Sequence, residues 1–406
     1  MRLVITGASG FVGRQIMPYF TKELFDLTLV GRDPNSLRDQ FGPDVEVAGY
    51  EVLEETFAGA DAILHLAVQN NAQDVPSETF KSVNVDLLKK VFSAAEKASV
   101  KHFVYVTTLH SQTKDQSPYA TTKRDALAYL EQKDSNITLS SLSLPAVYGD
   151  NTFAGNLSVL YRVPKIFRRF AFHILAALRP TVHVEIVAQA VLGAVQSCDG
   201  VRRVVSDRQL TNPVYSTLAR IRDIFLSLLI LGLFWWLLLI VWICVRLSGP
   251  GPGIFAQERV GKDGKVFTCY KFRTMKVGTK VAGTHEVPAG SVTPFGKIVR
   301  KLKIDELPQV WNILRNQMSF VGPRPCLPMQ KELIAARKAQ GVFDVRCGLT
   351  GLAQIRGIDM SDPIKLAQKD AEYLDMRTVT LDLKILIQTF LGAGRADWVN
   401  QSNEPR

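Results

Sequence analysis

Short apolar runs punctuate the first half of the chain: LVIT, LTLV, AILHLA, FVYVTT and SSLSLP alternate with longer stretches of helical period up to about residue 213. That rhythm predicts a doubly wound parallel sheet, an α/β fold of Rossmann-like type. The pattern then changes abruptly. From Ile224 to Val245 the text IFLSLLILGLFWWLLLIVWICV runs for 22 residues without a charge, long enough as a helix to cross roughly 30 Å of hydrocarbon. A Pro/Gly knot, SGPGPG at 248–253, ends it, and a basic section of mixed helical and irregular character follows to Arg406. The expected organisation is therefore a nucleotide-binding domain over 1–213, a membrane segment over 214–248 and a mainly α catalytic domain over 249–406.

Composition narrows the chemistry. With 406 residues, 47% of them apolar, the chain has ample material for two or three cores. A formal charge of +11 points to anionic partners: nucleic acid, lipid head groups or phosphorylated small molecules. No nucleic-acid recognition motif accompanies the charge. The five cysteines (Cys198, Cys244, Cys269, Cys326, Cys347) are widely and irregularly spaced, with no C-x-x-C pair, as expected of a reducing compartment. MRLVITGASG starts directly with a strand pattern and not with the order of a signal peptide, so the first domain is expected to stay in the cytosol.

TGASGFVG at 6–13 lies between a strand and a helix-like segment, which puts Gly7, Gly10 and Gly13 where a pyrophosphate rests on free N–H groups. The second strand ends in LTLVGRD. An acid there would hold a ribose 2′-hydroxyl, whereas Arg32, helped by Arg14, suits a 2′-phosphate, so NADP is expected in preference to NAD. The plain alternative is that both arginines are surface charges. Farther on, Tyr119 and Lys123 stand one helical turn apart, where an ammonium can lower a phenol's pKa and grip a ribose. Tyr129 and Lys133 share that spacing but fall later in the helical stretch. Tyr119 follows the strand FVYVTT, whose Thr108 is placed to hold a substrate hydroxyl.

TGASGFVG, DAILHLAV (61–68), VNVD (83–86), FVYVTT, YATTK, LPAVYG (144–149) and VHVEIVA (182–188) together resemble the extended short-chain dehydrogenase/reductases that act on nucleotide sugars. The resemblance covers about half the chain. It implies that Thr108, Tyr119 and Lys123 form a catalytic set for 4-keto reduction, epimerisation or dehydration. Two departures stand out: the apolar segment arrives before a full C-terminal substrate lobe, and Leu144 occupies a position where Arg commonly precedes the proline. A non-catalytic nucleotide-binding module that senses or scaffolds is the rival reading.

ARIRDIFLSLL, SGPGPGIFAQERVGKDGKVFTCYKFRTM, PFGKIVRKLKIDELPQVWNILRNQMSFVGPRP, RCGLTGLAQIRG and LDLKILIQTF resemble the bacterial sugar transferases, the monotopic phosphoglycosyl transferases. The resemblance implies transfer of a sugar 1-phosphate from a UDP-sugar to polyprenol (undecaprenyl) phosphate. The residues support such chemistry independently. Neighbouring helical side chains point about 100° apart, so Asp305 and Glu306 are suited to separate tasks, and Pro308 places them near a helix N-terminus that favours phosphate. A carboxylate attacking a diphosphate requires cations, offered by Lys271, Arg273, Arg300 and Arg324, with Mg²⁺ as the further neutraliser. By the family pattern Asp305 is the nucleophile of an aspartyl-phosphosugar formed with loss of UMP, Glu306 assists through the metal, and Asp305 and Glu306 are its ligands. Arg346 is expected as a further phosphate ligand beside Arg324. Cys347 and Arg356 stand where the family has proline and asparagine.

NADPH and UDP-sugars are both cytosolic, so both soluble domains are expected on the cytoplasmic face of the bacterial inner membrane. Arg220 and Arg222 on one side and Arg246 on the other give no polarity by charge count. The expectation is a re-entrant helix in contact with membrane lipid. Trp235–Trp236 occupies the place of the family's Ser-Pro break, leaving Gly232 as the weak point. The stretch RVPKIFRRFAFHILAALR at 162–179 is basic and amphipathic, fit either for an anionic lipid surface or for covering a shortened cleft.

Overall fold

A computed structural model describes residues 1–20, 24–69, 75–112, 115–197, 199–279 and 291–393; Cys198 lies outside them. The chain divides into two compact units, Met1–Phe172 with Pro180–Asp207, and His173–Arg179 with Arg208–Arg406. The division thus falls at Asp207/Arg208, a few residues before the expected 213, and the long apolar helix belongs to the second unit.

The first unit is built on strands β1 (Arg2–Thr6), β2 (Asp26–Gly31), β3 (Glu46–Gly49), β4 (Ala62–His65), β5 (His102–Thr108), β6 (Thr138–Leu144), β7 (Ala146–Tyr148), β8 (Thr181–His183) and β9 (Arg202–Val204). Seven of these form one parallel sheet in the order β3-β2-β1-β4-β5-β6-β9, while β7 and β8 pair separately. The connecting helices are α1 (Phe11–Ile16), α2 (Pro34–Phe41), α3 (Leu53–Phe57), α4 (Ser77–Lys81), α5 (Leu87–Lys97), α6 (Pro118–Gln132), α7 (Lys165–Leu178), which straddles the division, and α8 (Val184–Ser197). Successive strand side chains point to opposite faces. Leu3, Ile5 and Leu64 therefore enter one core with Val187 and Val191 of α8, and Val4, Ile63 and Phe103 enter a second with Leu88, Phe92 and Leu127. Burial on both faces explains why these strands read as unbroken apolar runs. The doubly wound sheet expected from that rhythm is the one observed.

The second unit opens with α9 (Pro213–Leu247), started by Asn212, whose side chain accepts from the N–H groups of Val214 and Tyr215. A hairpin follows, β10 (Ile254–Val260) antiparallel to β11 (Val266–Phe272). Then come α10 (Pro294–Lys301), α11 (Val310–Leu314), β12 (Met318–Val321), α12 (Lys331–Ala339), β13 (Cys347–Thr350), α13 (Leu352–Ile355), α14 (Pro363–Met376) and α15 (Val379–Phe390). The described cysteines Cys244, Cys269, Cys326 and Cys347 are free thiols.

Helix α9 corrects one expectation. Every residue from Pro213 to Leu247 is helical, Gly232 and Trp235–Trp236 included, so the break expected midway is not there. Without a proline no N–H is lost and no ring strikes the preceding turn, and a lone glycine costs only about 1 kcal/mol against the intact ladder. Both ends of the helix are fastened within the second unit. Near its start, Arg222 donates to Asp382 (2.7 Å) and Ser319 (3.0 Å), Asp223 accepts from the Phe320 N–H (3.2 Å), and Tyr215 donates to Asp382 (2.7 Å). Near its end, Val241 and Val245 pack with Phe272 and Val299, and Arg246 donates to the Gly251 carbonyl (2.7 Å). Between them Gly232–Trp236 is exposed throughout.

Candidate active sites

In the first unit the glycine turn is shaped by close approach. Gly7 adopts φ +78°, and a Cβ there would overlap the Ala67 backbone, while one on Gly13 would overlap Ala8. These contacts press α1 onto the ends of β1 and β4. Gly10 caps α1 without a side chain, leaving the first-turn N–H groups open to an anion. That backbone cradle, which any side chain would fill, fits a dinucleotide pyrophosphate. Arg14 and Arg32 are both exposed, and Asp33, the acid beside Arg32, caps α2 by accepting from Asn35 N (3.0 Å) and Ser36 N (3.2 Å).

Tyr119 stands in the first turn of α6, started by Ser117, whose hydroxyl accepts from the Ala120 N–H. Its ring meets Phe80 edge-on and its phenol is hydrogen-bonded by Thr108, the last residue of β5. Burial raises the phenol's pKa, and the Thr108 bond opposes that. Lys123, one turn on, is 2% exposed and donates to the Tyr105 hydroxyl (3.3 Å), with its ammonium 5.1 Å from that ring's centre. Burial brings its pKa down to about 7. The spacing argument paired Lys123 with the Tyr119 phenol; in the structure Thr108 bonds that phenol and the Lys123 ammonium donates to Tyr105. It also missed His65, held by Thr6 (2.8 Å) and kept neutral by burial and by Lys123 at a pKa of about 3. Asn84, bonded to Gln69 and to Thr122 (3.2 Å), escaped too. The available signal was strand order: His65 and Tyr105 are direct neighbours across β4 and β5.

In the second unit Asp305 and Glu306 occupy a 3₁₀ turn, Ile304–Gln309, running into α11. Lys303 starts it with φ 55°, in left-handed conformation. Successive side chains of such a turn diverge by about 120°, so the two carboxylates leave the backbone in different directions. Glu306 Oε1 accepts from Lys271 Nζ of β11 (2.6 Å) and from Arg324 (2.8 Å). Burial favours its neutral form, but Lys271 and Arg324 outweigh this and hold the carboxyl well below its ordinary pKa. Arg324 reaches it from the loop after β12, where the backbones of Gly322 and Gly348 pack so closely that neither could carry a Cβ. Asn312 ties the turn to the hairpin by donating to Thr268 O (2.7 Å) and accepting from Tyr270 N (3.1 Å).

The other expected cations divide. Arg300, on α10, keeps a buried Nη1 without a hydrogen-bond partner among the described residues. Arg273 is a correction: it is buried, and its guanidinium donates to the carbonyls of Val245 (2.9 Å), Gly249 (2.8 Å) and Pro250, so it clamps the turn after α9. Arg346 is a second correction. It donates to Asn316, lies 3.7 Å from Asp223, and lines a separate basic cavity of about 650 Å³ with Arg220, Lys262, Lys265 and Arg377. Arg259, which lies within the QERVG of the hairpin motif but is not among the expected site residues, lines the Glu306 pocket beside Arg324. Burial and then Arg324 depress its pKa. Among the described residues no group of three or more His, Cys, Asp or Glu could hold a metal by itself. Mg²⁺ commonly takes one or two carboxylates and completes its shell with substrate phosphates and water, so a single carboxylate of this diverging pair would be enough to contribute to its shell.

These features describe a parallel-sheet unit with a tight glycine turn, followed by a unit in which two cations clamp a carboxylate. Comparison with known proteins resolves both. Residues 3–205 match the NAD dependent epimerase/dehydratase family and residues 214–395 match the bacterial sugar transferases. The chain belongs to both families, one unit to each. It is 31% identical to the UDP-N-acetylgalactosamine-undecaprenyl-phosphate N-acetylgalactosaminephosphotransferase of Aeromonas hydrophila, over 55% of this chain and 54% of that protein. It is 36% identical to the UDP-glucose:undecaprenyl-phosphate glucose-1-phosphate transferase of Caulobacter vibrioides, over 42% and 67%. An uncharacterized sugar transferase of Bacillus subtilis, EpsL, is 39% identical over 39% of this chain and 78% of its own. The chain thus spans only about half of the Aeromonas protein's length. Among solved structures, a UDP-N-acetylglucosamine 4-epimerase from Bacillus cereus aligns over 51% of this chain and 78% of its own, at 15% identity and a TM-score of 0.40.

Proposed function

We propose that the second unit transfers a sugar 1-phosphate from a UDP-sugar to polyprenol phosphate by way of Asp305. The observation that carries the reading is the turn at 304–309, where Glu306 is clamped between Lys271 and Arg324 and Asp305 stands beside it on a diverging direction. A carboxylate oxygen of Asp305 attacks the phosphorus bearing the sugar. The bond from that phosphorus to the UMP oxygen breaks, and UMP departs with the electron pair. A phosphate oxygen of the polyprenol phosphate then attacks the same phosphorus, the bond to Asp305 breaks, and the carboxylate returns. Lys271, Arg324, Arg259 and Arg300 offset the charge that anion-on-anion attack brings together. Mg²⁺ held by the diphosphate and one of these two carboxylates would supply further neutralisation.

The first unit binds a nicotinamide dinucleotide on the Gly7–Gly13 turn. Arg32 and Arg14, with Asp33 occupied in capping α2, favour NADP over NAD. The bound nicotinamide supplies hydride exchange; Tyr119 moves the proton at the sugar oxygen, Thr108 orients that phenol, and Lys123 meets the ribose. In this reading the unit makes or modifies the donor sugar nucleotide. A second reading, a non-catalytic sensor, draws support from how little follows the sheet: β7 and β8 have three residues each and leave no large substrate lobe. In this reading both units face the cytoplasm, where NADPH and UDP-sugars are found, and the unbroken α9, fastened at both ends to one compact unit, lies against the membrane with that unit on one side.

The test is mass spectrometry of the protein incubated with UDP-sugar alone. A hexose-phosphate mass on the Asp305 peptide, absent in Asp305→Asn, is the expected result. An active enzyme that never carries it would end the assignment.

A further inference from the structure

Helix α7 carries an uncovered apolar stripe on a chain segment with no acid. Ile166, Phe167 and Phe170 are 83%, 61% and 62% exposed, and Ile174 and Leu178 are exposed as well. At about 100° per residue these five side chains fall within an arc of roughly 120°. From Asn151 to Val184 there is no Asp or Glu, whereas Arg162, Lys165, Arg168, Arg169 and Arg179 all lie there. Arg168 is engaged locally, donating to the Leu160 carbonyl (3.1 Å) and lying over the Tyr161 ring. Arg162, Lys165, Arg169 and Arg179 are exposed.

The end of α7 is held at the start of the apolar helix. Ala177 packs on Tyr215 and Ala219 of α9, Asn212 donates to the His173 carbonyl (3.0 Å), and Thr380 donates to the Leu178 carbonyl (3.0 Å). Ala219 precedes the charge-free run beginning at Ile224 by five residues, a rise of about 8 Å along the helix. An aromatic and aliphatic stripe bordered by cations, whose last members Ile174 and Leu178 lie in the turn held at the start of α9, matches an element lying in the head-group layer.

We propose that α7 is a second membrane-contacting element, an interfacial helix seated on an anionic lipid surface. The inference rests on the reading of α9 as membrane-bound. The occupant is lipid because the segment carries positive charge and no acid, and because the end of the stripe, Ile174 and Leu178, is held at the start of the apolar helix.

The test uses the full chain in vesicles of phosphatidylglycerol with phosphatidylcholine, and in phosphatidylcholine alone. An environment-sensitive fluorescent amino acid replaces Phe170, Leu229 of α9 or, as solvent control, Asn35 of α2, and a lipid-borne nitroxide serves as quencher. The expected result is shallow quenching at 170, deep quenching at 229 and none at 35. Quenching at 170 should weaken in the neutral lipid and in Lys165→Gln/Arg169→Gln, where the local equilibrium shifts about fivefold per charge removed. Quenching at 229 with none at 170 overturns the proposal and leaves the reading of α9 standing. No quenching at either position overturns both. A probe at 170 that is shielded from water yet not quenched identifies a protein occupant, such as a second copy, and also overturns it.

Discussion

Replacing Glu306 by Gln removes one charge and almost no volume, which makes it a sharp probe of the phosphate site. Its Oε1 accepts from Lys271 at 2.6 Å and from Arg324 at 2.8 Å. Hydrogen bonds to charged groups contribute about 1.5–3 kcal/mol each, and an ionised partner roughly doubles a neutral bond. Gln keeps an acceptor but loses the charge, so each bond weakens by about 0.8–1.5 kcal/mol and the pair by about 1.5–3 kcal/mol. With their partner neutral, Lys271 and Arg324 are drawn towards the Asp305 carboxylate, which blunts it as a nucleophile. If that loss is felt in the transition state, turnover falls by about 10- to 100-fold. The assay is UMP release with UDP-sugar and polyprenol phosphate, with Glu258→Gln, an exposed acid on β10, as control. Turnover within about twofold of the parent for Glu306→Gln would refute the role given to this clamp.

Three further outcomes follow from the same structure. Tyr119→Phe should lower NADPH oxidation with UDP-4-keto-sugars by about 100-fold or more while dinucleotide binding persists; equal rates would favour the sensor reading. Lys123 has a pKa of about 7 when folded and about 10.4 when unfolded. Between those values the unfolded chain holds a proton that the folded one lacks, so this side chain makes stability rise with pH across that window. Lys123→Met should flatten the dependence and, below pH 7, stabilise the first unit by about 2–4 kcal/mol in denaturant unfolding. Arg273→Met strands three carbonyls and should cost the second unit about 3–5 kcal/mol, with adduct yield per folded molecule unchanged; selective loss of the adduct would restore Arg273 to the phosphate site.

Much of this protein is legible without coordinates, because its strongest signals are local. Apolar runs buried on both faces read as parallel strands, the glycine spacing reads as a turn against a helix, and a charge-free run reads as a membrane segment. Adjacent carboxylates likewise announce themselves, since their spacing is covalent. Cations are another matter. Lys271, Arg273, Arg300, Arg324 and Arg346 are equivalent as letters, and long flexible side chains are assigned by whichever partner the packed chain brings within 3 Å. Three carbonyls at and just beyond the end of α9 claim Arg273, Asp223 and Asn316 engage Arg346, and Lys271 and Arg324 close on Glu306. The same holds for Lys123, whose neighbour Tyr105 is set by strand order, and for α9, whose two ends are secured by residues near 319 and 382 and near 272 and 299. The sequence by itself determined the elements and the adjacency of the two carboxylates, since periodicity and adjacency act over a few residues; which charges meet Glu306 was decided only by tertiary packing, which brings together positions far apart along the chain.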